Sequence, residues 1–186
     1  MSWIQEVKKF TPLCPQEVQD KAIMLEWAEC YKGNALLREN KVAHFTSSSI
    51  IINEEKTKTL MVYHNIYNAW SWPGGHMDGC ENFLAVAEKE AEEETGIQNL
   101  SPLTNQIISL DILPVFGHFK NGVYISAHLH LSVAYAFIAQ GNQPLKVAPK
   151  ENKAVGWIFI EKLAEMCSEP EMVKVYTKIL KRAECL

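Results

Sequence analysis

Apolar and polar positions change period several times along the chain. PQEVQDKAIMLEWAECY (15–31) mixes Val18, Ile23, Leu25 and Trp27 with charges and opens on proline, the pattern of a helix with Pro in its first turn. The stretch 33–41 reads as a linker. FTSSSIIIN (45–53) and TLMVYHN (59–65) are β-rich runs around the polar EEKTK and predict a hairpin, and AWSW (69–72) predicts a short strand ending at Pro73. A helix is expected over 82–95, with Leu84, Ala87 and Ala91 on one stripe able to pack on a sheet. QIISLDILPVFGHF (106–119) and VYISAHLHLSVAYAFIA (123–139) flank Lys120-Asn121-Gly122, where Asn-Gly is the strongest short hairpin signal. AVGWIFI (154–160) predicts another strand. PEMVKVYTKILKRAECL predicts an amphipathic C-terminal helix with Met172, Val175, Ile179 and Leu180 near one face. No internal repeat or low-complexity segment interrupts this order. The expected fold is α+β, an α/β/α sandwich around a mixed β-sheet.

The length of 186 residues suits one domain, and 47% apolar residues supply a full core. A net charge of -4 without a long basic run argues against a protein that depends on phosphate-backbone attraction to bind nucleic acid. It leaves small phosphorylated ligands open, since a metal ion can hold those. Five cysteines, none in a C-x-x-C pair, fit reduced thiols and a cytoplasmic location better than a disulfide framework or zinc ribbon. MSWIQEVKKF carries charges where a signal peptide needs an apolar stretch, and no apolar run approaches the length of a membrane span. Arg38 and Arg182 are the only arginines, against sixteen lysines.

The chemistry concentrates in WPGGHMDGCENFLAVAEKEAEEETGI (72–97). Asn82 is a good N-cap for the predicted helix and Gly96 a good left-handed residue to end it. Glu90, Glu93 and Glu94 stand at i, i+3 and i+4, so they share one face, beside the Leu84/Ala87/Ala91 stripe. Carboxylates so grouped repel unless a positive charge lies between them, and a hard divalent cation is the natural partner. The glycines of Pro73-Gly74-Gly75 let backbone approach such an ion and offer it a carbonyl. The other reading of this helix is a solvated acidic face.

The wider spacing decides between the two. Gly75, five residues, Glu81, seven residues, then Lys89-Glu90-Ala91-x-Glu93-Glu94-x-Gly96-Ile97 resembles the Nudix box of the Nudix (MutT-like) hydrolases, G-x5-E-x7-R-E-U-x-E-E-x-G-U with U a bulky aliphatic. Two positions depart from it: Lys89 stands for arginine and Ala91 is small for U. The resemblance implies a Nudix-type fold and a hydrolase that cleaves a diphosphate in a nucleoside diphosphate linked to another moiety, such as a nucleotide, ADP-ribose or a nucleotide sugar. It implies Mg2+, with Mn2+ as the alternative. Glu90, Glu93, Glu94 and the carbonyl of Gly74 take the metal-ligand positions. Glu81 and Lys89 pair to brace the loop and helix, with Gly75 and Gly96 as structural positions of the box. Lysine keeps the charge of arginine but loses its bidentate fork. The general base varies in this family, and Glu151, before the strand with Trp157, is the candidate, with Glu90 as its competitor. On this reading residues 1–40 are an N-terminal helical extension packed on the core and 41–186 the hydrolase domain, its box at 75–97. Homodimers are common among such proteins, and nothing in these residues specifies one.

Other side chains invite a role at the substrate. His76 follows the double glycine, close to where phosphate belongs. His128 and His130, two apart on a strand, share a face toward the cleft or form an ordinary polar strand face. Two histidines make no convincing zinc site without further ligands. Trp70 and Tyr67 offer flat surfaces for a base, against the simpler reading of sheet core, which also suits Trp72. His118 is a weaker candidate, and Asp78 belongs to loop structure. Pro114 lies where ADP-ribose-cleaving relatives often carry a proline, although a proline between strands also marks a strand end or bulge. Two rival functions share the fold: an isoprenoid-diphosphate isomerase, which usually departs from the box, and a non-catalytic nucleotide sensor, which tends to lose box glutamates. The complete glutamate set favours hydrolysis.

Overall fold

The structure, a computed structural model, describes residues 2–120 and 122–186. In chain order its elements are α1 (Trp3–Lys9), α2 (Pro15–Tyr31), β1 (Ala43–Asn53), β2 (Lys58–His64), β3 (Trp70–Ser71), β4 (Gly74–His76), α3 (Phe83–Thr95), β5 (Ser101–Pro102), β6 (Ser109–Val115), β7 (His118–Lys120), β8 (Val123–Ile125), β9 (His128–Ala139), β10 (Asn152–Phe159), α4 (Leu163–Met166) and α5 (Pro170–Glu184). The main sheet runs β10-β2-β1-β9-β5, with β3 on β2, β4 on β1 and β6 on β9. It is mixed: β1 and β9 are parallel over their whole length, from Ala43 opposite Leu129 to Asn53 opposite Ala139, while the β2, β4, β6 and β10 pairings are antiparallel. The β7–β8 pair forms the expected hairpin, whose Asn121 lies outside the described residues; Gly122 has φ +79°.

Strand alternation sorts the core into two layers. Phe45 and Ile51 of β1 face a cluster that includes Phe83, Ala87 and Ala91 of α3, Trp3 and Val7 of α1, and Met24 and Ala28 of α2. Ile50 and Ile52 face the other way, against Tyr176, Ile179, Leu180 and Ala183 of α5. The result is the α/β/α sandwich the pattern predicts. Ala87 and Ala91 are fully buried, and the half-buried Leu84 packs beside them.

The N-terminal helices share that core, and α2 also covers a sheet edge. Gln16 Nε2 donates to Leu110 O (3.1 Å), and Asp20 Oδ2 accepts from Ile112 N (2.9 Å), so helix side chains satisfy the free backbone of β6. Pro114 sits on this same edge strand, opposite Leu129. Glu17, fully buried, joins α2 to α5 through Arg182 (2.8 Å) and Lys178 (3.3 Å).

Candidate active site

Small residues let α3 lie close to the sheet. Ser47 Oγ donates to Phe83 O (2.8 Å) and Ser49 Oγ to Ala87 O (2.7 Å), fixing the helix on β1. Its start is capped by Asn82, whose Oδ1 accepts from Ala85 N (3.1 Å), and its end by Gly96 at φ +72°. The Gly74-Gly75 pair forms a strand against Ser48 and Ser47. The reason is space: a Cβ on Gly74 would lie 2.6 Å from Ser48 Oγ and 2.7 Å from Ser47 O, and one on Gly75 would collide with the Glu90 carboxyl group.

Three carboxylates converge here. One oxygen each of Glu90, Glu94 and Glu151 lies within 4.8 Å of the other two. Glu90 and Glu94 come from α3, one turn apart. Glu151 comes from the turn before β10, and Asn152 is what delivers it. The buried Asn152 donates from Nδ2 to the Glu94 carbonyl (2.9 Å) and accepts at Oδ1 from Ala148 N (3.2 Å), while Glu151 N bonds Ala148 O (2.8 Å). Nothing in the local sequence signals that long-range bond.

Glu94 is 6% exposed. Burial and then the charges of Glu151 and Glu90 raise its carboxyl well above the usual range, against a backbone hydrogen bond from Gly74. Burial also raises Glu90, against its hydrogen bond with Lys89. Among the described residues no buried basic side chain stands against these three carboxyl groups, so their charge balance leaves room for a cation. All-oxygen donors around a small gap suit magnesium or manganese, so the residues present fit the ion the box implies.

The other box residues lie around this centre. Glu93 stands outside the trio, its side chain exposed and paired with Lys89 (2.9 Å). Lys89 therefore spans Glu93 and Glu90 (3.2 Å), and Glu81 is exposed with no ion pair among the described residues. The expected Glu81–Lys89 contact is thus replaced by one within the helix, because Lys89 reaches its i+4 neighbour more easily than the loop. Gly96 packs tightly on Lys146, where a Cβ would come within 2.7 Å. Trp70 is half-buried, edge-on to Tyr63 and over Gly156, and Trp72 packs edge-on to Tyr176. Tyr67 is exposed and stacks on His64. His118 Nδ1 contacts Phe116 O (2.9 Å).

His76, His128 and His130 come together, and His44 joins them. Arg38 lies alongside: it forms a bidentate pair with Asp78, which lifts its pKa, and it also feels the charge of Glu90. Neither His44 nor Arg38 sits in a recognisable motif. No signal in the sequence marks Arg38, and His44 needs the β1/β9 register.

Comparison with known proteins agrees with this fold. A family model described as NUDIX domain matches residues 43–182. None of the curated proteins compared matches the chain. Among solved structures, a Caenorhabditis elegans Ap4A hydrolase binary complex is 15% identical, with TM-score 0.54, covering 76% of this chain and 98% of its own. A MutT protein from Methanosarcina mazei Go1 is 19% identical, with TM-score 0.52, over 78% and 96%. The NUDIX domain of Shewanella oneidensis NrtR complexed with ADP ribose is 14% identical, with TM-score 0.54, over 78% and 91%. At these identities the likeness is one of fold.

Proposed function

The chain belongs to the NUDIX family, and from that premise we propose that it is a metal-dependent hydrolase of a diphosphate linkage. Its substrate class is a nucleoside diphosphate joined to another moiety, such as a nucleotide, ADP-ribose or a nucleotide sugar. The observation that carries this reading is the convergence of Glu90, Glu94 and Glu151 within 4.8 Å, with Glu94 buried. A solvated acidic face has no reason to bury one carboxylate and bring in another from a distant turn.

Glu90, Glu94 and the Gly74 backbone would hold magnesium or manganese. When bound, the ion neutralises diphosphate charge and lowers the pKa of coordinated water. Glu93, exposed and paired with Lys89, supports the rim and takes a ligand position only if Lys89 releases it. Glu151 is exposed, borders both other carboxylates and has no lysine partner among the described residues, so it is the general base that accepts the water's proton. Glu90, which Lys89 holds at 3.2 Å, is the competing base. Lys89 offsets part of the negative charge of Glu90 and Glu93, and Arg38, paired with Asp78, is a second cation near Glu90.

The test is a panel of dinucleoside polyphosphates, ADP-ribose, nucleotide sugars and nucleoside triphosphates, with products identified by mass. Turnover with magnesium and none in excess chelator supports the reading. Tight binding without turnover would make the protein a sensor and overturn it. Glu151→Gln separates the two bases: lower kcat with unchanged magnesium affinity assigns Glu151, and unchanged kcat assigns Glu90.

A further inference from the structure

Glu90 approaches β4 from the side toward which a Gly75 Cβ would point, so the next residue, His76, faces the opposite side of that strand. There it meets histidines from two other strands. The parallel register of β1 and β9 sets His44 beside His130, and the antiparallel register of β1 and β4 sets Thr46 opposite His76. Ring centroids are 5.0 Å apart for His44 and His76, 5.2 Å for His44 and His130, and 5.1 Å for His76 and His130. One ring nitrogen from each of the three lies within 4.8 Å of the other two.

Two features make this more than a polar patch. His44 is 3% exposed, and its Nε2 is buried with no hydrogen-bond partner, as is Nε2 of His130. Leaving two such nitrogens unsatisfied in one place is costly. His44 Nδ1 lies 3.0 Å from Asn40 O; a carbonyl requires a donor there, so the proton sits on Nδ1 and the lone pair on Nε2. A ring protonated at Nδ1 alone is neutral, and its buried Nε2 has no hydrogen-bond partner. Neutral rings offer a phosphate no charge. They are the form that ligates a metal, and a backbone carbonyl on the far nitrogen is the usual way such a ligand is oriented.

We propose that His44, His76 and His130 form a binding site for one zinc-class transition-metal ion, separate from the carboxylate centre, with a fourth coordination position open to water or an anionic group. Imidazole selects this class of ion, whereas the all-oxygen glutamate site selects magnesium or manganese, so the two sites do not compete. Ligand nitrogens about 2.0–2.1 Å from a tetrahedral ion sit roughly 3.4 Å from one another. The rings therefore close by on the order of 1 Å from the present outer limit, within reach of small side-chain rotations. His128 stacks on His44 at 5.1 Å but falls outside the trio, its Nδ1 held by Ser126 O (2.9 Å). This proposal is independent of the hydrolase reading.

The experiment uses the full-length protein, stripped with chelator and titrated with Co2+ in excess Mg2+, which occupies the glutamates. The readouts are visible d–d absorption and bound cobalt by equilibrium dialysis. Expected is one Co2+ per chain with the intense bands of tetrahedral coordination, bleached by Zn2+. His76→Gln and His130→Gln should each lose those bands and bind at least about tenfold more weakly, while Glu94→Gln and His128→Gln keep them. Circular dichroism confirms the fold of each variant. The wild-type spectrum decides by itself if a variant does not fold. Absence of tetrahedral bands at stoichiometric cobalt overturns the proposal. So does their survival in both histidine variants, or their loss in Glu94→Gln or His128→Gln.

Discussion

Replacing Glu94 by Gln should stabilise the metal-free protein and remove its response to magnesium. Two ionised carboxylates at 4.8 Å repel by about 3.5 kcal/mol at an effective dielectric constant of about 20. Glu94 faces two such neighbours and avoids most of the repulsion by holding its proton, which is why its carboxyl is raised. Solvent reaches Glu151 and Lys89 offsets part of Glu90, so only a fraction is recoverable. Gln keeps the shape and can still accept from Gly74 N–H. The expected gain in chelator is on the order of 1–2 kcal/mol, or roughly 2–8 °C in Tm for a chain of this size. With magnesium the order reverses. At a hundredfold excess over Kd the wild type gains about 2.7 kcal/mol, roughly 5–11 °C, while the variant moves little. Thermal unfolding in chelator and across a magnesium series measures both. A variant less stable than wild type in chelator, or one with an undiminished magnesium shift, refutes the reasoning.

Gly75→Ala should cut magnesium affinity and turnover at least about tenfold while the protein still folds, because the new Cβ displaces the Glu90 carboxyl group; isothermal titration checks the affinity. Glu17→Ala should lower stability by about 3–5 kcal/mol in denaturant titration, since it leaves Arg182 without its carboxylate at the joint of α2 and α5, while Lys178 keeps Asp111 (2.6 Å); a loss under about 1 kcal/mol would show that joint is not structural. The pH profile of the metal-free protein should have two limbs. Burial depresses His64 to about 4 and His76 to about 3, so the unfolded chain takes up protons first, and stability present above pH 6.5 is lost as pH falls toward those values. Glu94 is raised instead, so its contribution is lost as pH rises above 4.5 through its folded pKa. Magnesium should flatten the second limb and leave the first, which unfolding at stepped pH with and without the ion would show.

Features encoded within a few neighbouring residues were legible in the sequence. The ends of α3 follow from Asn82 and Gly96, and the helical repeat places Glu90 and Glu94 one turn apart. Pro15 marks the start of α2. What depended on distant pairing was not legible. Gly74-Gly75 becomes a strand only because Ser47 and Ser48 leave room for it. The place of Glu151 against α3 depends on Asn152 reaching Glu94 across the fold. Lys89 turned to Glu93 because an i+4 partner is nearer than a loop. His44 acquires meaning only when the β1/β9 register brings His130 beside it. The short α1 carries too few residues for a periodic signal, yet its Trp3 and Val7 are buried.

The most direct test compares Glu94→Gln with Glu92→Gln in steady-state turnover of whichever diphosphate the panel identifies, with magnesium present. The two positions are two residues apart on one helix, but only Glu94 belongs to the carboxylate trio. Loss of most hydrolysis in Glu94→Gln with near wild-type turnover in Glu92→Gln is the result this account predicts. Equal effects of the two substitutions, both large or both small, would contradict it.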